Sequence, residues 1–337
     1  SFYYSDHHSG MRCTLHQLEL FEPFHIAHGS SSSRQVLRIC EGGSIAEAPF
    51  VPYYGEIPED TLAVLTQETL PGTLPRTAAL ALNLLHHDLA CHQTNEALGS
   101  LAEAILGPPQ HATPPGCRSF GIPADLDVFA EKIREISQQF RVLKLKLGSG
   151  DLGYDLAIVA VARRVAPQVD LLLDVNGGWD PSEAPLMIQK LMDYGPALIE
   201  QPIHHRHGVD VWQEMRAELP ANCPPIYADE SIQTTADLPA LAPWIDGVNI
   251  KLLKCGSFEE AISLMKMARE FHLSILIGCM IESSLGTTAA AHLAPWADWI
   301  DLDGHFYVSN DDFSGLSYGV GGEMIMPQRP GIGAVAL

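Results

Sequence analysis

An α/β barrel of eight parallel strands, preceded by an α+β module, is the fold class this sequence predicts. Three observations lead there. Eight short apolar runs alternate with amphipathic stretches long enough for crossover helices between about residues 118 and 303. A Pro/Gly-rich stretch at 107–116 separates this rhythm from a first hundred residues of different texture. Six of the eight runs also carry a charged residue at or next to their end, as expected where barrel strands open onto a catalytic mouth.

In the first part, residues 15–20 and 35–41 read as strands of a small antiparallel sheet, and the polar run 28–34, with one Gly and four Ser, reads as a mobile loop between them. Residues 58–70 and 77–106 carry apolar residues at helical spacing, with Pro71 and Gly72 breaking between them. The barrel runs are 118–122, 142–147, 170–174, 197–200, 226–229, 247–252, 274–277 and 299–303. An open doubly wound sheet is the alternative, but no Gly-rich phosphate fingerprint follows the first run. The resulting domains are an α+β capping domain at 11–107, a barrel at 108–304, and a segment at 305–337 returning to the capping domain. Met11 reads as a candidate natural start, with residues 1–10 as a tag remnant.

Composition narrows the function. Forty-one acidic against 20 basic side chains give a formal charge of −21, so a nucleic-acid backbone or an anionic bilayer would be repelled; neither is expected as a partner. With 46% hydrophobic and 18% charged residues and no apolar run of membrane-spanning length, a packed globule is expected. Seven cysteines without a CxxC pair argue against a disulfide framework, and no secretory signal pattern opens the chain, so the expected location is the cytoplasm. A homo-oligomer is compatible with all of this.

The strand-end charges carry the chemistry. They are Lys144 and Lys146, then Asp174, Glu200, Asp229, Lys251, and finally Asp301 and Asp303. From Lys146 the successive steps are 28, 26, 29 and 22 residues, about one βα unit each, which rings the charges around one mouth. A single such acid is as readily a helix cap or an isolated ion pair. Three in consecutive units supply hard oxygen ligands without His or Cys, a donor set for Mg²⁺ with Mn²⁺ as substitute. Lys144 and Lys146 are two apart on a strand and share a face, about 6.6 Å from Cα to Cα. Lys251 comes from nearly the opposite side. Burial, a neighbouring ammonium and a divalent cation all disfavour a charged lysine, so these amines are candidate bases. The histidines at 86, 87 and 92 and at 204, 205 and 207 lack matched ligand spacing and read as surface. Cys279 reads as a small core residue.

These residues fall in KLKLG (144–148), LDVN (173–176), IEQP (199–202), ADES (228–231), NIKL (249–252), GCMIESSLG (278–286) and DLDG (301–304). Together they resemble the enolase superfamily, its muconate-lactonizing subgroup, and within that the dipeptide epimerases, whose familiar members are the L-Ala-D/L-Glu epimerases of murein-peptide recycling. EPFHIAHGSSS and AEAPF also look like that family's capping segments, so the resemblance spans nearly the whole chain. It implies Asp174, Glu200 and Asp229 as ligands of one Mg²⁺, Lys146 and Lys251 as the two acid/base groups of a 1,1-proton transfer through an enediolate, and Lys144 as an electrostatic partner of that enediolate. It implies a dipeptide substrate inverted at the α-carbon of its C-terminal residue. Asp301 and Asp303 would hold the substrate ammonium, Asp303 foremost; Ile281 and Glu282 are candidate substrate contacts, with Glu282 alternatively a residue that orients Lys251.

Two departures bear on specificity. Relatives selective for alanyl-glutamate tend to carry an arginine on the capping loop after the PF pair, where this chain has His28 and Gly29; Arg34 lies further along and could substitute only if the loop folds inward. An acidic or an apolar second residue fits equally well at this point. The neighbouring activities, o-succinylbenzoate synthase, N-acylamino acid racemase and cycloisomerase, use the same lysines and metal, and a noncatalytic barrel is the reading from another class.

Overall fold

A computed structural model describes residues 3–5 and 10–337; most of the tag-remnant reading for residues 1–10 therefore lies outside the described residues. The N-terminal part is a four-stranded antiparallel sheet in sequential order, β1 (Tyr3–Ser5), β2 (Arg12–Ile26), β3 (Gly29–Glu41) and β4 (Ser44–Pro49). The expected mobile loop at 28–34 is not there. Residues 29–34 belong to β3 and pair with β2, from Gly29 opposite Ile26 to Arg34 opposite Leu18, with a bulge between Glu19 and Phe24. Serine has weak β preference of its own, but the apolar partner strand fixes the hairpin register and overrides it.

Three helices follow: α1 (Pro58–Leu65) and α2 (Arg76–Thr94), which pack on this sheet, and α3 (Gly99–Leu106), which lies against the barrel helix Phe258–Glu270. The long helix expected at 77–106 is two helices. Asn95 ends α2 in the left-handed conformation at φ 57°, where its amide donates to the Cys91 carbonyl. The shorter span of α1 reflects a chain that turns at Thr66, before the Pro-Gly break.

From Cys117 the chain alternates strand and helix around a ring, as predicted. The strands are β5 (Cys117–Phe120), β6 (Val142–Lys146), β7 (Asp170–Asp174), β8 (Leu198–Glu200), β9 (Ile226–Ala228), β10 (Gly247–Ile250), β11 (Ser274–Gly278) and β12 (Trp299–Asp301). Each pairs in parallel with its neighbour in sequence. A parallel bridge from Gly116 to Ile300 joins the last strand to the first. The crossover helices start on side-chain caps where the sequence supplies them: Asp125 accepts from the amides of Asp127 and Val128 at α4 (Leu126–Ile136), and Ser257 caps the helix Phe258–Glu270.

Period-two alternation sorts the barrel residues. Leu143, Leu145 and Leu147 face the helices and join the large outer core. Cys117, Val142, Leu172, Leu198, Tyr227 and Leu276 plug the barrel interior as a separate cluster. The residues two further along each strand stand on that plug, at the open mouth.

Residues 305–337 touch both parts. Val308 bridges to Leu20, Asp312 takes both terminal nitrogens of Arg38 at 2.6 and 2.7 Å, and Asp88 accepts from the Ile332 amide at 2.7 Å. Glu47 on β4 is buried, accepts from Arg38 Nε at 2.9 Å, and receives the Ser283 amide and hydroxyl at 2.9 and 2.8 Å. This carboxylate ties the capping sheet to the loop after β11. Glu47→Ala strands the Arg38 Nε and the Ser283 donors in the interior, and is expected to cost about 3 kcal/mol, read as a lower urea midpoint. Among the described residues no helix is long and apolar enough to cross a membrane.

Candidate active site

The mouth residues predicted from spacing converge. Asp174, Glu200 and Asp229 are buried, and one carboxylate oxygen from each lies within 4.8 Å of the others. Lys144, fully buried below them, is 2.8 Å from Glu200 Oε2 and 2.7 Å from Asp301 Oδ2. Lys146 Nζ lies 2.5 Å from Asp174 Oδ2, and Lys251 Nζ 2.7 Å from Asp229 Oδ2. In a ring of eight, β6 and β10 are four strands apart, so Lys146, ending β6, and Lys251, one residue past β10, face each other across the mouth. Both line one cavity of about 90 Å³, together with Asp301 and Asp303.

The electrostatics of this cluster differ in one respect from the sequence reading. Burial does oppose the charge on Lys144 and Lys251, but facing carboxylates outweigh it. Asp301, Glu200 and Asp174 hold Lys144 well above the ordinary lysine range, and Asp229 does the same for Lys251. Burial likewise opposes ionisation of Asp229, yet Lys251, Lys254 and Lys144 hold it well below its usual value. Glu200 goes the other way, pushed up to about 8 by burial and the Asp174 charge. A divalent cation among these oxygens would reverse the balance, since it adds positive charge beside the amines. The donor set fits one: three buried, converging carboxylates, all hard oxygen.

At the other wall, Asp301 accepts from Ser119 Oγ at 2.9 Å, and Asp303 accepts from the Ser119 amide at 2.6 Å and the Tyr307 hydroxyl at 2.8 Å. Burial and the Asp301 charge raise Asp303 to about 7, while Lys144 holds Asp301 low against its own burial.

The capping strands close the cavity from above. Ile26, Ser31, Arg34 and Tyr53 line it, as do Met280 and Ile281 from the loop after β11. His28 sits at the rim, with Nε2 3.4 Å from Glu230 Oε1 and its ring 5.0 Å from that of Tyr53. Gly29 is exposed at φ 133° where β3 leaves the hairpin turn, and a β carbon there would meet nothing within 4 Å. Glu282 is buried behind the wall, where it accepts from the Met280 amide, and burial beside Glu47 raises it to about 8. Cys279 lines the cavity with its thiol pushed far up by burial, a protonated rather than a nucleophilic group.

Several supporting residues escaped the sequence reading. Asn249 donates to Glu200 Oε1 at 2.5 Å, and Lys254 donates to Asp229 Oδ1 at 2.9 Å and to the Asp229 and Asn249 carbonyls. Asn249 and Ser119 were accessible in principle, since each lies two residues along its strand from an inward position. A β carbon at Gly278 would meet Asn249 Oδ1 at 2.4 Å, so the missing side chain there makes room for the amide. Lys254 carried no such signal, because it sits on the helical turn Leu252–Cys255 after the strand.

Comparison with known proteins places this geometry. Residues 128–336 match the sequence profile of the enolase C-terminal domain-like family. An L-Ala-D/L-Glu epimerase of Bacteroides thetaiotaomicron is 31% identical over 307 residues, which cover 86% of this chain and 77% of that protein. The substrate-liganded L-Ala-D/L-Glu epimerase from Bacillus subtilis superimposes with a TM-score of 0.85 at 25% identity, over 97% of this chain and 98% of the other. A dipeptide epimerase from Enterococcus faecalis V583, complexed with Mg and L-Leu-L-Tyr, gives 0.84 at 25% identity, over 97% and 99%.

Proposed function

The chain belongs to the enolase superfamily as an isomerase related to the dipeptide epimerases, and from that premise we propose that it epimerises dipeptides at the α-carbon of the C-terminal residue with a divalent metal, Mg²⁺ or Mn²⁺. The observation that carries the reading is the facing of Lys146 and Lys251 across one cavity that also holds Asp301 and Asp303.

The chemistry follows from what an α-proton next to a carboxylate demands. Its removal leaves an enediolate with two negative charges, which needs positive charge already in place. Asp174, Glu200 and Asp229 would hold a divalent metal, which when bound would supply such charge as a Lewis acid. Lys144, buried between Glu200 and Asp301, adds a fixed ammonium on the same side. One of Lys146 and Lys251 takes the α-proton and the other returns a proton to the opposite face, which inverts the centre. Asp301 and Asp303 hold the free ammonium of the first residue and so fix the reacting carbon between the lysines.

The test is hydrogen exchange in D₂O with Mg²⁺ and a pool of L-Xaa-L-Yaa dipeptides, scored by mass spectrometry. The expected result is one deuteron at the α-carbon of the second residue, with both epimers formed. Exchange of N-acylamino acids or dehydration of a succinylbenzoate precursor, with no dipeptide exchanged, would sink the reading. Asp303→Asn is expected to lower kcat/KM for dipeptides by about 10²-fold, chiefly through KM, because a buried ammonium then lacks its counter-charge. Since Asp303 sits near 7, protonation below that pH removes the same charge, so dipeptide kcat/KM should fall as pH drops through neutrality. The Asn variant should have lost that part of the profile.

A further inference from the structure

Asp303 is buried beside a second carboxylate, Asp301. Two adjacent carboxyl groups in a closed cavity do not both stay ionised unless each has a cation to face. Asp301 has one, since Lys144 Nζ lies 2.7 Å from its Oδ2. For Asp303 the only lysine or arginine nitrogen within 4.0 Å, among the described residues, is Arg118 Nε on β5, 3.8 Å from Oδ2. That spacing is longer than a hydrogen bond. Aromatic rings hold the guanidinium there, its Cζ lying 4.6 Å from the centroid of Phe306, 5.7 Å from that of Phe140 and 5.8 Å from that of Tyr307. The Nε itself is buried without a hydrogen-bond partner.

The two oxygens of Asp303 are used unequally. Oδ2 accepts from the Ser119 amide and the Tyr307 hydroxyl and faces Arg118, whereas Oδ1 has no partner among the described residues. Asp301, by contrast, has a partner on each oxygen, Ser119 Oγ on Oδ1 and Lys144 on Oδ2. We propose that Arg118 is a positioning residue acting through Asp303: its charge keeps that carboxylate ionised, and its stacked seat, just beyond bonding distance, leaves the carboxylate free to take the substrate ammonium. The inference rests on the dipeptide reading of the cavity. A closer guanidinium would form an ion pair and compete with the ligand, and without one Asp303 would be a second acid beside Asp301 with no cation of its own. No other titratable neighbour replaces that charge. Burial pushes Cys117 on β5, Cys279 after β11, Tyr307 and Tyr318 well above their ordinary ranges, so they stay neutral, as does His305, lowered by burial to about 4. Lys144 and Lys146 act on Asp301.

The consequence is a pH window. Its acid edge is the ionisation of Asp303, raised to about 7 by burial and Asp301 with Arg118 pulling the other way. Its alkaline edge is the substrate's own amine, which loses its proton at about 7.7–8.0. An opposite charge this close depresses a carboxyl by about one to three units, so removing it carries the acid edge up to or past the alkaline one. The test is the pH profile of kcat/KM, from about pH 5.5 to 9, for the dipeptide that the wild type exchanges fastest in D₂O. Arg118→Met is expected to lose about 10-fold or more near pH 6 and less near pH 8, in KM, with kcat at saturating dipeptide changed by less than about twofold. Arg118→Gln carries the same expectation should the Met variant not fold, and Arg118→Lys should recover part of the loss. In an Asp303→Asn background Arg118→Met should leave the profile where it was. An acid limb unmoved in both Arg118→Met and Arg118→Gln, or one factor of loss at every pH, would overturn the assignment and leave the epimerase standing. Exchange with no dipeptide at all removes both.

Discussion

Lys251→Ala and Lys146→Ala are each expected to lose at least about 10⁴-fold in epimerisation, yet to keep exchanging the α-proton of one stereoisomer, a different one in each variant. The magnitude comes from the role. General acid–base transfer contributes about 10² to 10⁴, and inversion needs both partners in every turnover. The asymmetry comes from geometry, since β6 and β10 are diametrically placed and each amine reaches only the proton on its own face. The fold should survive both changes. Asp229 keeps Lys254 on its other oxygen at 2.9 Å, and Asp174 keeps Lys144 at 3.4 Å. Chiral chromatography and mass spectrometry of each epimer in D₂O read the result. If both variants wash out the same isomer, or either still epimerises above a per cent of wild type, proton transfer does not use two opposed amines.

The legibility of this site in the sequence was uneven, for physical reasons. Strand-end charges were readable because a parallel barrel forces equal spacing and a shared direction. Thus one charged residue per βα unit, from Lys146 to Lys251, already implies a ring. Lys144 and Lys146 were readable because alternation on a strand puts both inward. Arg34 was readable as a capping-segment candidate but its inward placement was not, because its segment of serines lacks any apolar alternation, and only pairing with β2 turns it into a strand with an inward face. With Arg34 opposite Leu18, the guanidinium shares the face of Val36 and reaches the cavity. Lys254 and Glu47 were invisible for another reason. Their partners, Asp229 and Ser283, are 25 and 236 residues away, and nothing in local pattern announces such contacts.

Removal of divalent metal is expected to abolish turnover, and Mg²⁺ or Mn²⁺ to restore it. The charge inventory decides this. The mouth gathers the carboxylates of Asp174, Glu200 and Asp229, and the substrate brings a fourth that gains further negative charge as its α-proton leaves. Of the nearby ammonium groups, Lys254 is committed to Asp229 and two carbonyl oxygens, and Lys144 lies between Glu200 and Asp301. In the proposed proton transfer Lys146 and Lys251 would cycle between neutral and charged forms, so neither would serve as a permanent counter-charge. Only an added cation offsets a developing dianion in so enclosed a space, where interactions are screened far less than in water. Binding should also be visible without turnover, because a ligand that binds only the folded state raises the melting midpoint, by an amount that grows with its concentration over its Kd. Glu200→Gln, which keeps the shape but drops one charge from the trio, should lose most of that shift along with activity. Full turnover in chelator-dialysed protein, or an undiminished thermal shift in Glu200→Gln, would show that the cation sits elsewhere or is not needed.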